Sequence, residues 1–157
     1  MSIVTREQAM NALFALLQTA TWDNGSGPVT WLYTSRRPMT QQSLGSMEQP
    51  AMILIDDDEG HTKGDQATKA VRKITCAAWC WTAIAQDPTS IPATEINNII
   101  DSIDPNSQGV LMANQLTGKQ TLGGLVYDCY IDGKLTKDPG VLGGLGFAHI
   151  PITIVLP

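Results

Sequence analysis

From Leu116 to Pro157 the chain reads LTGKQTLGGLVYDCYIDGKLTKDPGVLGGLGFAHIPITIVLP, and two runs in it, LVYDCYIDGKL and FAHIPITIVL, have the residue types and spacing of strands. Leu125, Tyr127, Cys129 and Ile131 alternate with Val126, Asp128, Tyr130 and Asp132, which predicts one apolar and one mixed face. In the final run Ile150, Ile152, Ile154 and Leu156 share a face. Between the runs stand Asp138, Pro139, Gly140, Gly143, Gly144 and Gly146, a wide turn. Pro151 has no N–H to give a ladder, so the last strand is expected at a sheet edge, or with Pro151 at an unpaired position.

The rest of the chain supplies what this pair of strands must pack against. Thr5 and Gln8 have capping-box spacing, and Met10, Leu13, Phe14 and Leu17 recur at helical spacing, so residues 5 to 20 read as a helix whose apolar face lies on a sheet. WDNGSGP (Trp22 to Pro28) is a turn-rich exit to a first strand at Val29, where Trp31 and Tyr33 alternate against Leu32 and Thr34. After a polar loop, Ala51 to Ile55 is a short apolar strand, and residues 57 to 70 read as the long mobile tip of a hairpin. The return strand, Arg72 to Ala85, sets Ile74, Cys76, Ala78, Cys80 and Ile84 on one face and Thr75, Ala77, Trp79, Trp81 and Ala83 on the other. Pro92 opens a second helix with Ile96, Ile99, Ile100 and Ile103 as its buried stripe, closed by Asp104 and Pro105, and residues 106 to 115 read as surface loop. The order α-β-β-β-α-β-β, with hairpins and no βαβ alternation, predicts one α+β domain spanning 1 to 157. Its architecture is a mainly antiparallel sheet of about five strands with both helices on one face.

Motifs for chemistry fall short. Asp56, Asp57, Asp58 and Glu59 with His61 resemble a calcium loop, yet His61 and Ala67 stand where that loop requires Gly and Glu, so the run reads as a solvated hairpin tip. LTGKQT lacks the first glycine and the hydroxyl of a phosphate loop, and GVLGGLG lies between strands rather than at a helix N-terminus. His61 and His149 neighbour no nucleophile motif, and there is no HExxH or CxxC spacing. No catalytic, cofactor-binding or metal-binding residues are assigned, and the expectation is a protein without enzymatic activity. Cys76 and Cys80, roughly 13 Å apart along one strand, cannot bridge each other. With Cys129 they read as small buried hydrophobes. The Trp79 and Trp81 face has two open readings, cover by neighbouring loops or contact with another subunit.

Charge is sparse, at 16% of residues with a net of −5, which suggests surface reserved for partners and argues against affinity for nucleic acid. No run of about 18 apolar residues would span a membrane, and the N-terminus lacks a signal-peptide pattern, so the expected place of synthesis and residence is the cytosol.

LTGKQTLGGLVYDCYIDG, KDPG, the Gly-rich turn and HIPITIVLP together resemble the C-terminal half of tail terminator (tail-completion, minor tail) proteins of long-tailed bacteriophages. REQAMNALFALLQTA, RKITCAAWCWTAIA and DPTSIPATEINNIIDSIDP extend the resemblance over most of the chain. What it implies is a virion structural protein made in the host cytoplasm, a hexameric ring that caps the tail tube and offers the head-joining surface. Its partners would be other copies, the tail tube protein and a head-completion or connector protein, with DNA passing through unbound, no membrane and no cofactor. Trp79, Trp81, Asp57, Asp58, Glu59, His61 and Lys63 are the candidate subunit or partner interface. The alternatives are a head-to-tail connector or stopper of the neck, and a monomeric enzyme or small-ligand module using a cleft between the hairpin tip and the C-terminal turn.

Overall fold

In the computed structural model, which describes residues 3–40, 43–44, 49–63, 71–82, 91–140 and 146–157, the chain is an α+β fold. Helix α1 spans Arg6–Gln18 and starts at the expected box: Gln8 N donates to Thr5 Oγ1 at 3.1 Å and Thr5 N to Gln8 Oε1 at 2.9 Å. Two of the first turn's orphan N–H groups are thereby satisfied, and the entry of the helix is set. Its buried face is Ala9, Met10, Leu13 and Leu17. Helix α2, Pro92–Ile103, begins on proline and buries Ile96, Ile99, Ile100 and Ile103.

The strands are β1 (Trp22–Asp23), β2 (Pro28–Val29), β3 (Tyr33–Ser35), β4 (Ala51–Thr62), β5 (Val71–Trp81), β6 (Asp128–Ile131), β7 (Thr136–Asp138) and β8 (Phe147–Leu156). β1 and β2 form a separate small hairpin, and the other six form one sheet in the order β3-β4-β5-β8-β6, with β7 also on β8. All pairs are antiparallel except β3 with β4, which is parallel. Both helices lie on one face, where Met10, Leu13, Leu17, Ile96, Ile99 and Ile103 join Met52, Leu54, Ala78, Cys80, Ile150 and Ile152 in a single buried cluster. Ala78, Cys80 and Ala148 are fully buried small residues there, and they let the helices approach the sheet closely.

Several expectations are corrected. Among the described residues the main sheet has six strands rather than about five, and the run LVYDCYIDGKL is a strand only over β6: it ends in a turn from Asp132 to Leu135, with Gly133 at φ 104°, and β7 follows beyond it. Residues 57 to 62 are not hairpin tip: β4 continues through the acidic run, and Glu59, Gly60, His61 and Thr62 pair with Ile74, Lys73, Arg72 and Val71. A register shift between Asp56 and Glu59 takes up the extra residue as a bulge. The ladder partners on β5 override the turn-forming character of the run. Residues 64–70 of that tip, Ala83 to Ala85 of the return strand, and Gly143 and Gly144 of the C-terminal turn lie outside the described residues.

Trp31 and Tyr33 do not share a face. Trp31 precedes β3 and turns to the helix side, where its Nε1 donates to Leu17 O at 2.9 Å, whereas Tyr33 packs on the opposite side. A buried indole N–H needs an acceptor, and the end of α1 offers one. The expected surface loop 106 to 115 also turns inward, burying Leu111 against the end of α2.

β8 is not an edge, so Pro151 takes the other option. β6 pairs with Ile152–Val155 and β7 with Phe147–His149, and Pro151 falls at the break between them. Asp132 N donates to Pro151 O at 3.1 Å, so the missing N–H also points toward that break and costs the β5 ladder nothing.

Candidate functional site

The face of the sheet opposite the helices carries an aromatic row built from two strands in register. Trp79 stands across from His149 and Trp81 across from Phe147. Trp79 meets Phe147 and His149 edge-on, both at 5.6 Å between ring centres, and lies 6.3 Å from Trp81, which is 5.4 Å from Phe147. Edge-to-face contacts at these separations are favourable for aromatic pairs and hold the rings in place.

Cover over this face is uneven. Leu44, Ala51, Ile53 and Trp81 form a second buried cluster with Tyr33, Met39 and Ile55 at its margin. Trp81 is therefore only 4% exposed, enclosed by its own chain. Of the two readings of the Trp79 and Trp81 face, cover by a neighbouring loop describes Trp81, because the segment following β3 folds over it. Trp79, Phe147, His149 and Pro151 stay half-buried. Phe147 and His149 were not among the sequence candidates; the signal was present in the alternation of Phe147, His149 and Pro151 with buried Ala148, Ile150 and Ile152.

Asp57, Asp58, Glu59, His61 and Lys63 form a second patch at the far end of the β4–β5 hairpin. Trp79 pairs with Ile53 and Arg72 with His61, so the patches are seven residues apart along β5, roughly 24 Å at strand rise. The structure does not bring them into one site. Arg6 of α1 grips Glu59 through Nε and Nη2, the latter at 2.6 Å, and His61 Nε2 lies 2.7 Å from the same carboxylate. Arg36, just past β3, reaches Glu7 at 2.5 Å and Asp56 at 3.2 Å, tying α1 to the sheet. Asp57, Asp58 and Lys63 are exposed.

The Arg6 hydrogen bonds, opposed by desolvation and aided by His61, hold the Glu59 carboxyl down to about 2 from its ordinary 4.5. A depressed folded-state value means stability that is present above the unfolded value and lost as pH falls toward the folded one. Melting temperature is thus expected to fall between about pH 4.5 and about pH 2 by more in the native chain than in Glu59→Gln, the two curves converging at the acid end. Because Arg6 is 55% exposed and Glu59 22%, solvent screening keeps the difference small. Parallel curves across that window would count against the pairing.

Cys76, Cys80 and Cys129 are free and buried, and burial pushes the Cys76 thiol up to about 12 and the other two higher still, which withholds the thiolate at neutral pH. Among the described residues no group of three His, Cys, Asp or Glu side chains converges on a metal position. A cavity of about 230 Å³ lies between α2 and β7, lined by Ala93, Ile96, Asn97, Lys137 and Pro139. It is smaller than the several hundred Å³ usual for ligand sites, and its two polar side chains are bonded to each other, Lys137 Nζ donating to Asn97 Oδ1 at 3.2 Å. No helix among the described residues is long and apolar enough to cross a membrane. Compared with protein-family models and with curated proteins, the chain matches neither.

Proposed function

We propose that this chain is a structural protein of a long-tailed phage virion, a tail terminator whose copies close into a ring, hexameric as in the family it resembles, on the head-proximal end of the tail tube. The ring ends tube growth and presents a surface to a head-completion protein while DNA passes through it; the protein uses no cofactor and catalyses no reaction. The observation that carries this reading is the half-open aromatic row Trp79, Phe147 and His149, on a sheet with α1 and α2 packed on its other face. Aromatic residues framed by a covered margin are the kind of anchor a subunit contact uses. The resemblance of REQAMNALFALLQTA, RKITCAAWCWTAIA and the C-terminal segments supports the choice of partner.

Electron microscopy of the protein mixed with tail tubes, with native mass spectrometry of the same sample, tests it. Rings seated on one end of the tubes are the expected result, and a monomer that leaves the tubes uncapped overturns it. Rings that bind head portals and ignore tubes would make the protein a neck connector instead. In the same assay Trp79→Ala is expected to weaken ring formation by over about tenfold, since truncating an interface anchor costs about 2 kcal/mol. Its thermal melt should move much less.

A further inference from the structure

β4 outruns its neighbour on one side. β5 pairs along its length, but β3 pairs only with Ala51–Ile53, and no described strand continues that ladder over Asp56 to Thr62. Such an edge contains no proline and leaves a row of N–H and C=O groups without ladder partners, which makes it a template for another chain. It is exposed except at Glu59, and it is held in place at two points by Arg36 on Asp56 and Arg6 on Glu59. A fixed edge loses little entropy on accepting a partner.

The charges on this edge select what can join it. Asp56 and Glu59 have cations, whereas Asp57 and Asp58, at the bulge, have no ion pair among the described residues. Antiparallel pairing of the whole edge with the same edge of a second copy would set Glu59 against its own copy, a like-charge pair that is destabilising, and Asp56–Asp58 against Gly60–Thr62, which bring no Lys or Arg to Asp57 and Asp58. An extended segment with basic residues meets no such penalty and gains from Asp57 and Asp58.

We propose that the open edge of β4, Asp56–Thr62, accepts an added strand from a partner protein, an extended basic segment whose Lys or Arg side chains face Asp57 and Asp58. Main-chain hydrogen bonds supply the affinity and the alternate side chains the choice of partner. The proposal stands independently of ring formation.

The test uses the full chain and two synthetic peptides, one alternating Thr with Lys and one alternating Thr with Glu, with binding followed by calorimetry and amide hydrogen exchange. The Thr–Lys peptide is expected to bind and to protect amides within Asp56–Thr62, while the Thr–Glu peptide does not bind. Asp57→Lys/Asp58→Lys should weaken the Thr–Lys peptide by about tenfold or more and confer binding of the Thr–Glu peptide, a gain that a misfolded variant could not show. Absence of Thr–Lys binding at low ionic strength overturns the proposal. So does binding without protection of β4, or binding that the double variant leaves unchanged.

Discussion

Replacing Trp81 by Ala is expected to destabilise the isolated subunit by about 3–5 kcal/mol, a drop in melting temperature on the order of 10 °C for a chain of this size. The side chain is 4% exposed and fills the space between Leu44, Ala51, Ile53 and Phe147, so its removal leaves a cavity lined by groups from three strands and a loop. β4, β5 and β8 are locked by continuous ladders, so they cannot collapse into that space, and the cost should fall at the upper end for a buried aromatic. Thermal melts of Trp81→Ala and Trp79→Ala side by side give the check. A Trp81→Ala subunit that melts like the native chain would contradict its enclosure, and equal losses from both variants would mean that Trp79 is also core.

Gly109→Ala is expected to cost about 3 kcal/mol or more. A Cβ at this position would sit 2.4 Å from Ile103 C and 2.6 Å from Asp104 N, both backbone atoms of the end of α2, which cannot rotate aside as a side chain would. Relief requires lifting the following loop. That breaks Gly109 N to Asp104 O and Val110 N to Ser102 O, both 2.8 Å, and unseats Leu111, which is 1% exposed. Gly60→Ala is the control: nothing lies within 4 Å of its added Cβ, and a change within about 0.5 kcal/mol is expected. Denaturant unfolding should show a lower midpoint for Gly109→Ala at unchanged slope.

Much of the fold was legible because the signals are local. The Thr5–Gln8 box, Pro92 at the start of α2 and the stripe Ile96, Ile99, Ile100 and Ile103 all act within one or two helical turns, and each appears where expected. The alternation in FAHIPITIVL likewise assigned Ile150, Ile152, Ile154 and Leu156 to the core face without knowledge of any partner strand. The acidic run was misread for the opposite reason. Asp56–Glu59 has turn composition, but the neighbouring β5 supplies ladder bonds that a residue-by-residue preference does not register.

The candidate site divides along the same line. That Trp79 and Trp81 lie on the face away from Cys76, Ala78 and Cys80 follows from the period of a strand. That Trp81 is enclosed while Trp79 is not depends on where the chain after β3 runs, a long-range contact with no periodic signature. The seven-residue separation of the aromatic row from the acidic patch, the parallel placement of β3 and the open edge of β4 are of the same kind. The amino-acid sequence by itself determined the helices, the inward faces of the strands and the α+β class, since these follow from preferences and spacing over a few residues. Tertiary structure alone decided strand order, which aromatic ring is covered and which edge stays free. Those depend on which distant segments bury one another's apolar surface and satisfy one another's backbone groups.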